Sequence, residues 1–464
     1  MPIFLMELYK YTKKELIDKL FLSNAEYIHF EYELMKKGIL KIYNNKLSIK
    51  YVGVIEYKGK VIFILPKYIR GNNEAYYLEK AKLIFTLFRE YSSRNKKCLV
   101  ENIDFFGNEY NQESFNLIAM SEYLLRNYLE YGIYNKNIHL YEINGHGNID
   151  WNKTVNEQYA YKSNNSYIYI NTYTDSRNND LLNNIVKIHK YAINICSEYI
   201  SKFKFLGIEI PDIKFDIDIY ELGTKDEILL ELEKEMSTEF CDQKLLVLQC
   251  LHNLFNKIGS TSSDENNVNL YGTKYFHIVW EKVCSYVFKN QYSSIAKDID
   301  KPKWYSYDLS KEYEADETLK PDILRKFDLQ RLMCILDAKY YNIDFEESKI
   351  KNYPGIGDIT KQYLYEQALK VKYSGYEFLN ILVFPTEQES KIFGTVDIDF
   401  MSKLNLSKVN LYKVNDVEVF NMYINRNLYD DAILLDLYKP NKNLYDTDFN
   451  PVLEVSELYE DIYN

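Results

Sequence analysis

The chain has 464 residues, of which 46% are hydrophobic and 27% charged, with a formal net charge of −11. These values exclude extensive disorder, and they exclude a protein that coats nucleic acid with its whole surface, because phosphate binding calls for Lys and Arg. No signal-like leader and no apolar run of membrane-spanning length is present, so a soluble, cytoplasmic protein with no membrane partner is expected.

The 46 tyrosines are read as the codon bias of an A/T-rich genome rather than as a base-stacking surface. The cysteines (Cys98, Cys196, Cys241, Cys250, Cys284, Cys334) form no CxxC pair, which argues against a zinc site and for buried free thiols in a reducing compartment.

Residues 13 to 37 read as helix, with Leu16, Leu20, Tyr27, Phe30 and Leu34 on one face. "LSIKYVGVIEYKGKVIFILPKY" reads as two strands around Lys58-Gly59-Lys60, a hairpin. Helices are expected over 72 to 91 and 114 to 131, then strand, Gly-rich turn and strand in "NIHLYEINGHGNIDWNKTV", and helices over 181 to 201 and 234 to 258. The sharpest break in composition is "GSTSSDENNVN" at 259 to 269, a linker signal. Beyond it come a helix in "KYFHIVWEKVCSYVFKN", the stretch discussed next, another helix, the strands "FLNILVFPT" and "FGTVDIDFM", and a strand-helix pair in "KVNLYKVNDVEVFNMYINR". The expected architecture is α/β and α+β multidomain: a mixed β/α region over 1–150, a mostly helical connection over 151–258, and an α/β domain over 270–464.

The stretch "KPDILRKFDLQRLMCILDAKYYNID" (320 to 344) drives two carboxylates and an amine to the end of an apolar strand. Charges there are costly unless paired or bound to metal. If "PDILRKF" and "LMCILDAKY" form a hairpin turning at Phe327 to Arg331, Asp322 and Asp337 face each other with Cβ atoms about 4.5–5.5 Å apart. Strand alternation then puts Asp337 and Lys339 on one face and Ala338 on the other. Two carboxylates that close repel unless something positive lies between them, and a hard dication such as Mg²⁺ meets that need. Lys339 beside it would orient or deprotonate an attacking water and stabilise developing charge.

The competing reading is a structural ion pair in which Lys339 answers two aspartates. PD followed loosely by (D/E)xK also occurs by chance: Pro211-Asp212 with Asp242-Gln243-Lys244, Glu56-Tyr57-Lys58 and Glu347-Ser348-Lys349 are decoys here. Only Asp337-Ala338-Lys339 ends a strand apolar on both faces. Upstream, Glu281 sits in an amphipathic helix with Trp280, Val283, Cys284 and Val287, where it would add a metal or water contact or be a solvated Glu. Downstream, "GIGDITKQYLYEQAL" places Gln362, Tyr365 and Glu366 on a helix for which Asp358 is the expected N-cap.

Glu281, Pro321-Asp322, Asp337-Ala338-Lys339 and Gln362-x-x-Tyr365, in this order, resemble the PD-(D/E)xK nuclease superfamily. "GIGDITKQYLYEQA" after "ILDAKYY", with "YVGVIEYKGKVIFILPKY", "GNIDWNKTV" and "FHIVWEKVC", is similar to the LlaJI-type restriction endonucleases, relatives of McrC, from about residue 40 to about 425. The resemblance implies a restriction-endonuclease-like core over 270–464 and an N-terminal docking domain over 1–150. It implies cleavage of double-stranded DNA with Mg²⁺ (Mn²⁺ as a substitute) alongside an AAA+ GTPase, McrB-like subunit, and pairing of nuclease domains for double-strand cleavage. Asp322 and Asp337 would ligate metal and Lys339 would be catalytic. Glu281 (also toward metal), Gln362 and Tyr365 would support them. The chain has no GxxxxGK[ST], so nucleotide hydrolysis falls to a partner. Two alternatives are a self-sufficient site-specific endonuclease, for which Arg94-Asn95-Lys96-Lys97 is the nearest basic run in the N-terminal half, and a non-catalytic assembly subunit on a relic nuclease fold.

Overall fold

The computed structural model describes residues 2–71, 73–94, 117–135, 137–164, 166–179, 184–260 and 268–438. The chain opens with strand β1 (Ile3–Met6) and helices α1 (Lys13–Leu20) and α2 (Asn24–Lys36). The single helix expected over 13 to 37 is two, because Phe21 ends the first in a left-handed conformation with φ 51°. Ser23 then restarts the chain: its hydroxyl accepts from the Glu26 N–H while the Glu26 carboxylate accepts from the Ser23 N–H, a capping box.

The hairpin at Lys58-Gly59 forms as expected between β2 (Val52–Tyr57) and β3 (Lys60–Leu65), with both turn residues at positive φ, the geometry that matches strand twist. Helix α3 (Glu74–Arg94) follows, then α4 (Leu117–Tyr131). "NIHLYEINGHGNID" supplies strands Asn137–Ile143 and Asn148–Ile149 of a small sheet completed by Tyr173–Asn179. The residues after it turn into a helix, Trp151–Glu157, capped by Asp150.

Helices α5 (Asn184–Ser201), α6 (Lys225–Met236) and α7 (Asp242–Ser260) come next. The helix expected over 234 to 258 is therefore the end of one and most of another, separated by a turn in which Glu239 accepts from the Cys241 N–H at 2.9 Å. Most of the linker signal, residues 261 to 267, lies outside the described residues. The strand right after it, β4 (Asn269–Thr273), returns to the N-terminal sheet and pairs antiparallel with β2. Gly53 and Gly272 face each other there, and a Cβ on Gly53 would meet the Tyr271 carbonyl oxygen at 2.3 Å, so side chains would force the strands apart.

The N-terminal sheet has the order β1-β3-β2-β4. One uninterrupted apolar core joins it to the helices and to the second sheet, from Val52 and Phe63 through Ile193 and Leu251 to Trp280, Leu336 and Phe420. His189 on α5 is buried in this body, where its Nδ1 accepts from the Tyr134 N–H at 3.0 Å and burial pulls its pKa down to about 4. The folded state thus binds fewer protons than the unfolded chain below the ordinary histidine range. Stability should be unaffected above pH ~6.5 and fall by up to about 3 kcal/mol as pH drops toward 4. Denaturant titrations across that window should show the slope, and His189→Asn should flatten it.

The second half supplies α8 (Phe276–Val287), β5 (Ile323–Phe327), β6 (Leu332–Ala338), α9 (Ile356–Lys370), β7 (Glu377–Thr386), β8 (Lys391–Val396), β9 (Val409–Asn415) and α10 (Asp416–Ile424). The sheet order is β5-β6-β7-β9-β8, with β6, β7 and β9 parallel and the two edge strands antiparallel to their neighbours. Ile323, Cys334 and Leu336 belong to the core that contains α8, while Leu324, Met333 and Ile335 pack with Tyr365 and Leu369 of α9. The result is a mixed α/β layer structure with helices on both faces of a sheet whose three central strands are parallel.

Candidate active site

The β5–β6 hairpin sets the geometry. Ile323 lies opposite Leu336 and Phe327 opposite Leu332, so the same register carried one residue further puts Asp322 across from Asp337. Two things hold β5 in place from outside the hairpin. Gln291 donates its N–H to the Leu324 carbonyl and accepts the Lys326 N–H on its side chain, at 2.8 and 2.7 Å. Asn290 donates to the Asp322 carbonyl at 2.8 Å and accepts the Leu324 N–H at 3.0 Å. The edge strand is thereby sealed, and the backbone of Asp322 is fixed.

By alternation, Asp322, Asp337 and Lys339 all face the α9 side. The Lys339 N–H still bonds to the Val383 carbonyl at 2.8 Å, so the residue is held as strand past the end of β6. Its Nζ lies 2.6 Å from Asp337 Oδ2 and 3.0 Å from Asp358 Oδ1. The contact with Asp337 is a close charge pair between two groups held out of water, Asp337 being only 5% exposed. Burial acts against the Lys339 charge, yet Asp337 and Asp358 outweigh it and raise its pKa. Lys339 is therefore an ammonium at neutral pH.

Asp322 is the group left short of positive charge. Its Oδ2 accepts the Ala338 N–H at 2.9 Å, and no other hydrogen bond reaches its carboxylate among the described residues. Burial first, then the charges of Asp337 and Glu281, push it up to about 8, against the opposing pull of the Ala338 N–H and Lys339. Glu281 comes from α8 and bears on the site through that charge. Among the described residues no three His, Cys, Asp or Glu side chains are grouped as a metal cage. Two facing carboxylates are nonetheless the donor set of a hard cation that keeps its waters and completes its shell with a phosphate, and the raised Asp322 is where such a charge is needed. If so, Mg²⁺ raises the melting temperature of the wild-type protein and leaves that of Asp322→Asn unchanged. Without metal the variant, relieved of repulsion, should be the more stable of the two by on the order of 1 kcal/mol.

Gln362 is fully buried on α9, one turn after Asp358, and among the described residues neither its Oε1 nor its Nε2 has a hydrogen-bond partner. An orphaned amide costs about 1–3 kcal/mol per unmet group, which singles it out from the helix around it. Tyr365 is packed against Leu324, Met333 and Ile335, and its hydroxyl donates to the Lys320 carbonyl at 3.3 Å. It props the segment leading into Asp322 from beneath. Burial, then the charges of Asp337 and Asp322, raise it to about 12.

A family model for the LlaJI restriction endonuclease matches residues 51–425. The chain belongs to the LlaJI restriction endonuclease family. A curated relative, the type II restriction enzyme BsuMI component YdjA of Bacillus subtilis (strain 168), is 33% identical over 406 residues, which is 84% of this chain and 84% of that protein. Among solved structures, a chain of the half-complex from the tetradecameric assembly of Thermococcus gammatolerans McrB AAA+ hexamers with bound McrC is 12% identical with a TM-score of 0.41. That likeness covers 92% of this chain and 100% of the other.

Within this LlaJI-family chain the expected residues Asp322, Asp337, Lys339, Gln362 and Tyr365 fall around one end of β6, with Glu281 acting from the opposite helix. One expectation is corrected. Gly355 is the N-cap of α9, without a side-chain cap; Asp358 lies in the first turn and spends its carboxylate on Lys339 instead. Asn290 went unmarked because Lys289-Asn290-Gln291 reads as an ordinary helix exit. The decoys are structural: Glu56 takes the Tyr199 hydroxyl at 2.8 Å and Lys202 at 3.2 Å, and Asp212 pairs with Lys204 at 2.7 Å. Arg94 stacks on Tyr286 and Tyr423, with its guanidinium carbon 4.9 and 4.4 Å from the ring centres, and is a packing residue.

Proposed function

We propose that this chain is the Mg²⁺-dependent nuclease subunit of a restriction system, cleaving phosphodiester bonds of double-stranded DNA at a PD-(D/E)xK site on the Asp322–Asp337 hairpin. The observation that carries the reading is the cross-strand carboxylate pair with the Lys339 ammonium 2.6 Å from Asp337. A structural ion pair would leave all three groups balanced; here Asp322 is pushed up to about 8. Family membership supports nuclease chemistry, and the "component" in the name of the Bacillus relative supports an enzyme made of several chains.

Asp322 and Asp337 would hold the metal, with Glu281 reaching it directly or through water; once bound, it would neutralise phosphate charge and acidify a coordinated water. Lys339, kept protonated by Asp337 and Asp358, serves as donor and counter-charge to the phosphate rather than as the base that takes water's proton. Asp358 fixes where that ammonium points. Gln362 offers a buried amide to whatever enters, and Tyr365 holds the Lys320–Asp322 segment at its height. An AAA+ GTPase partner would supply nucleotide hydrolysis and target search, with residues 1–150 as the docking region.

Plasmid cleavage in Mg²⁺, with the purified chain alone and with the product of the neighbouring gene plus GTP, tests the reading. Cutting that needs partner and nucleotide supports the subunit. Cutting by the chain alone favours a self-sufficient endonuclease, and no cutting under any condition, with phage restriction intact in Asp337→Asn cells, leaves an assembly subunit.

A further inference from the structure

The protein is acidic overall, so any DNA contact it makes must come from a local concentration of cations. One exists where the N-terminal sheet meets the carboxy end of β6. Tyr340 follows Lys339 directly and turns to the α8 side, where its ring lies 5.3 Å from that of Phe276, the first residue of α8. Lys67, just past the end of β3, holds its Nζ 4.3 Å from the Tyr340 ring centre and 5.7 Å from that of Tyr341. On the other side of Phe276, Lys50 and Lys274 bring their ammonium groups within 5.6 and 5.9 Å of the Tyr275 ring centre. His277 is exposed and lies 6.0 Å, ring to ring, from Tyr275. Position 277 is one helical turn before Glu281, so its side chain shares the face of α8 that bears on Asp322.

These cations come from three separate places in the chain, and Lys274 also donates to the Lys37 carbonyl at 3.2 Å. Neither Lys50 nor Lys67 has an ion-pair partner among the described residues. Glu7, the carboxylate that faces them, is 6% exposed and takes the Tyr340 hydroxyl and the Lys67 N–H instead. Burial holds the Lys67 pKa down against the pull of Glu7, and Lys50 adds a smaller repulsion. Cations from separate segments gathered over tyrosine rings, with His277 exposed beside them, suit a polyanion.

We propose that Lys50, Lys67, Lys274 and His277 form a track for the phosphate backbone of duplex DNA, entering or leaving the carboxylate pair across the carboxy end of β6. Continuity with the site favours DNA over an acidic protein as the occupant: the track begins one residue past Lys339 and ends one helical turn from Glu281. The inference rests on the nuclease reading but concerns binding, which can be measured without cleavage.

The test is fluorescence anisotropy of a short labelled duplex without metal, across about 50 to 200 mM salt, with wild type, Lys50→Gln/Lys67→Gln, His277→Ala and Asp337→Asn. Gln keeps most of each buried stem, and melting curves check the fold; His277→Ala is on the surface and guards against a folding defect in the double variant. The double variant is expected to bind about tenfold more weakly, with the slope of log affinity against log salt reduced by about 1.8, the equivalent of two phosphates. His277→Ala should weaken binding less, and Asp337→Asn should bind at least as well as wild type. An unchanged salt slope in the double variant overturns the track, as does absence of duplex binding by the wild type at the lowest salt. Normal DNA binding with lost phage restriction in the double variant would also overturn it, since the surface would then face a protein. If instead Asp337→Asn still cuts while the double variant loses binding, the track stands and the catalytic assignment falls.

Discussion

Asp337→Asn is expected to cut plasmid DNA at least about 1000-fold more slowly than wild type under any condition in which the wild type cuts. The substitution keeps the volume of a 5%-exposed side chain and its place opposite Asp322, and removes the charge that Lys339 answers at 2.6 Å. Lys339→Ala should cost about 100- to 1000-fold if the proposed chemistry holds, because it would take away the donor to developing phosphate charge and leave Asp337 and Asp358 without their cation. Duplex binding and the melting curve should be close to wild type for Asp337→Asn, which separates loss of chemistry from loss of fold. Tyr365→Phe is the contrasting variant. Among the described residues its hydroxyl serves the Lys320 carbonyl alone, so the change should lower stability by about 1 kcal/mol and leave most of the cleavage rate. Equal loss of activity in Tyr365→Phe and Asp337→Asn would mean that the reacting phosphate sits nearer α9 than assigned.

The hairpin was readable because strand chemistry is local. Apolar "LMCIL" between charges, a short polar turn and the period of two determine which residues face each other, and Asp322 opposite Asp337 follows. The two-helix start was also readable, though read as one helix: Thr12-x-x-Glu15 and Ser23-x-x-Glu26 are both capping boxes, and apolar periodicity drowned the second. What could not be read is anything assembled across the chain. Asp358 looks like a helix cap beside its glycines, and only the packing of α9 on β6 delivers its carboxylate to Lys339. The return of β4 to the N-terminal sheet depends on Gly53 meeting Gly272, more than two hundred residues away. The cation track is the clearest case. A search for a basic run stops at Arg94-Asn95-Lys96-Lys97, of which Arg94 is spent on aromatic packing and the rest lies outside the described residues, while Lys50, Lys67 and Lys274 are isolated in sequence and meet only in space.

Asp416→Ala is expected to destabilise the protein by about 3–5 kcal/mol, the usual cost of leaving a buried charge without its partner. Asp416 is fully buried at the start of α10, and both its oxygens are held by Lys80 of α3, at 2.7 and 2.8 Å, with the Tyr68 hydroxyl donating at 3.1 Å. Lys80→Met alone should cost a similar amount, since it strands the carboxylate. The double variant Lys80→Met/Asp416→Ala should recover much of the loss, because two buried charges removed together leave neither unpaired. Denaturant unfolding of the four proteins measures the coupling, and additive losses would mean that the pair is better solvated than its burial indicates. The pair ties α3 to the carboxy end of β9, while the Arg70 N–H bonds to Glu387 at 2.8 Å just past β7, and Lys67 and Glu7 meet Tyr340 just past β6. Residues 67 to 80 thus grip the carboxy ends of all three parallel strands, the edge at which Asp337 and Lys339 stand. Loosening that grip at Asp416 should therefore lower cleavage as well as stability, and should do so even at temperatures where the Asp416→Ala protein remains folded.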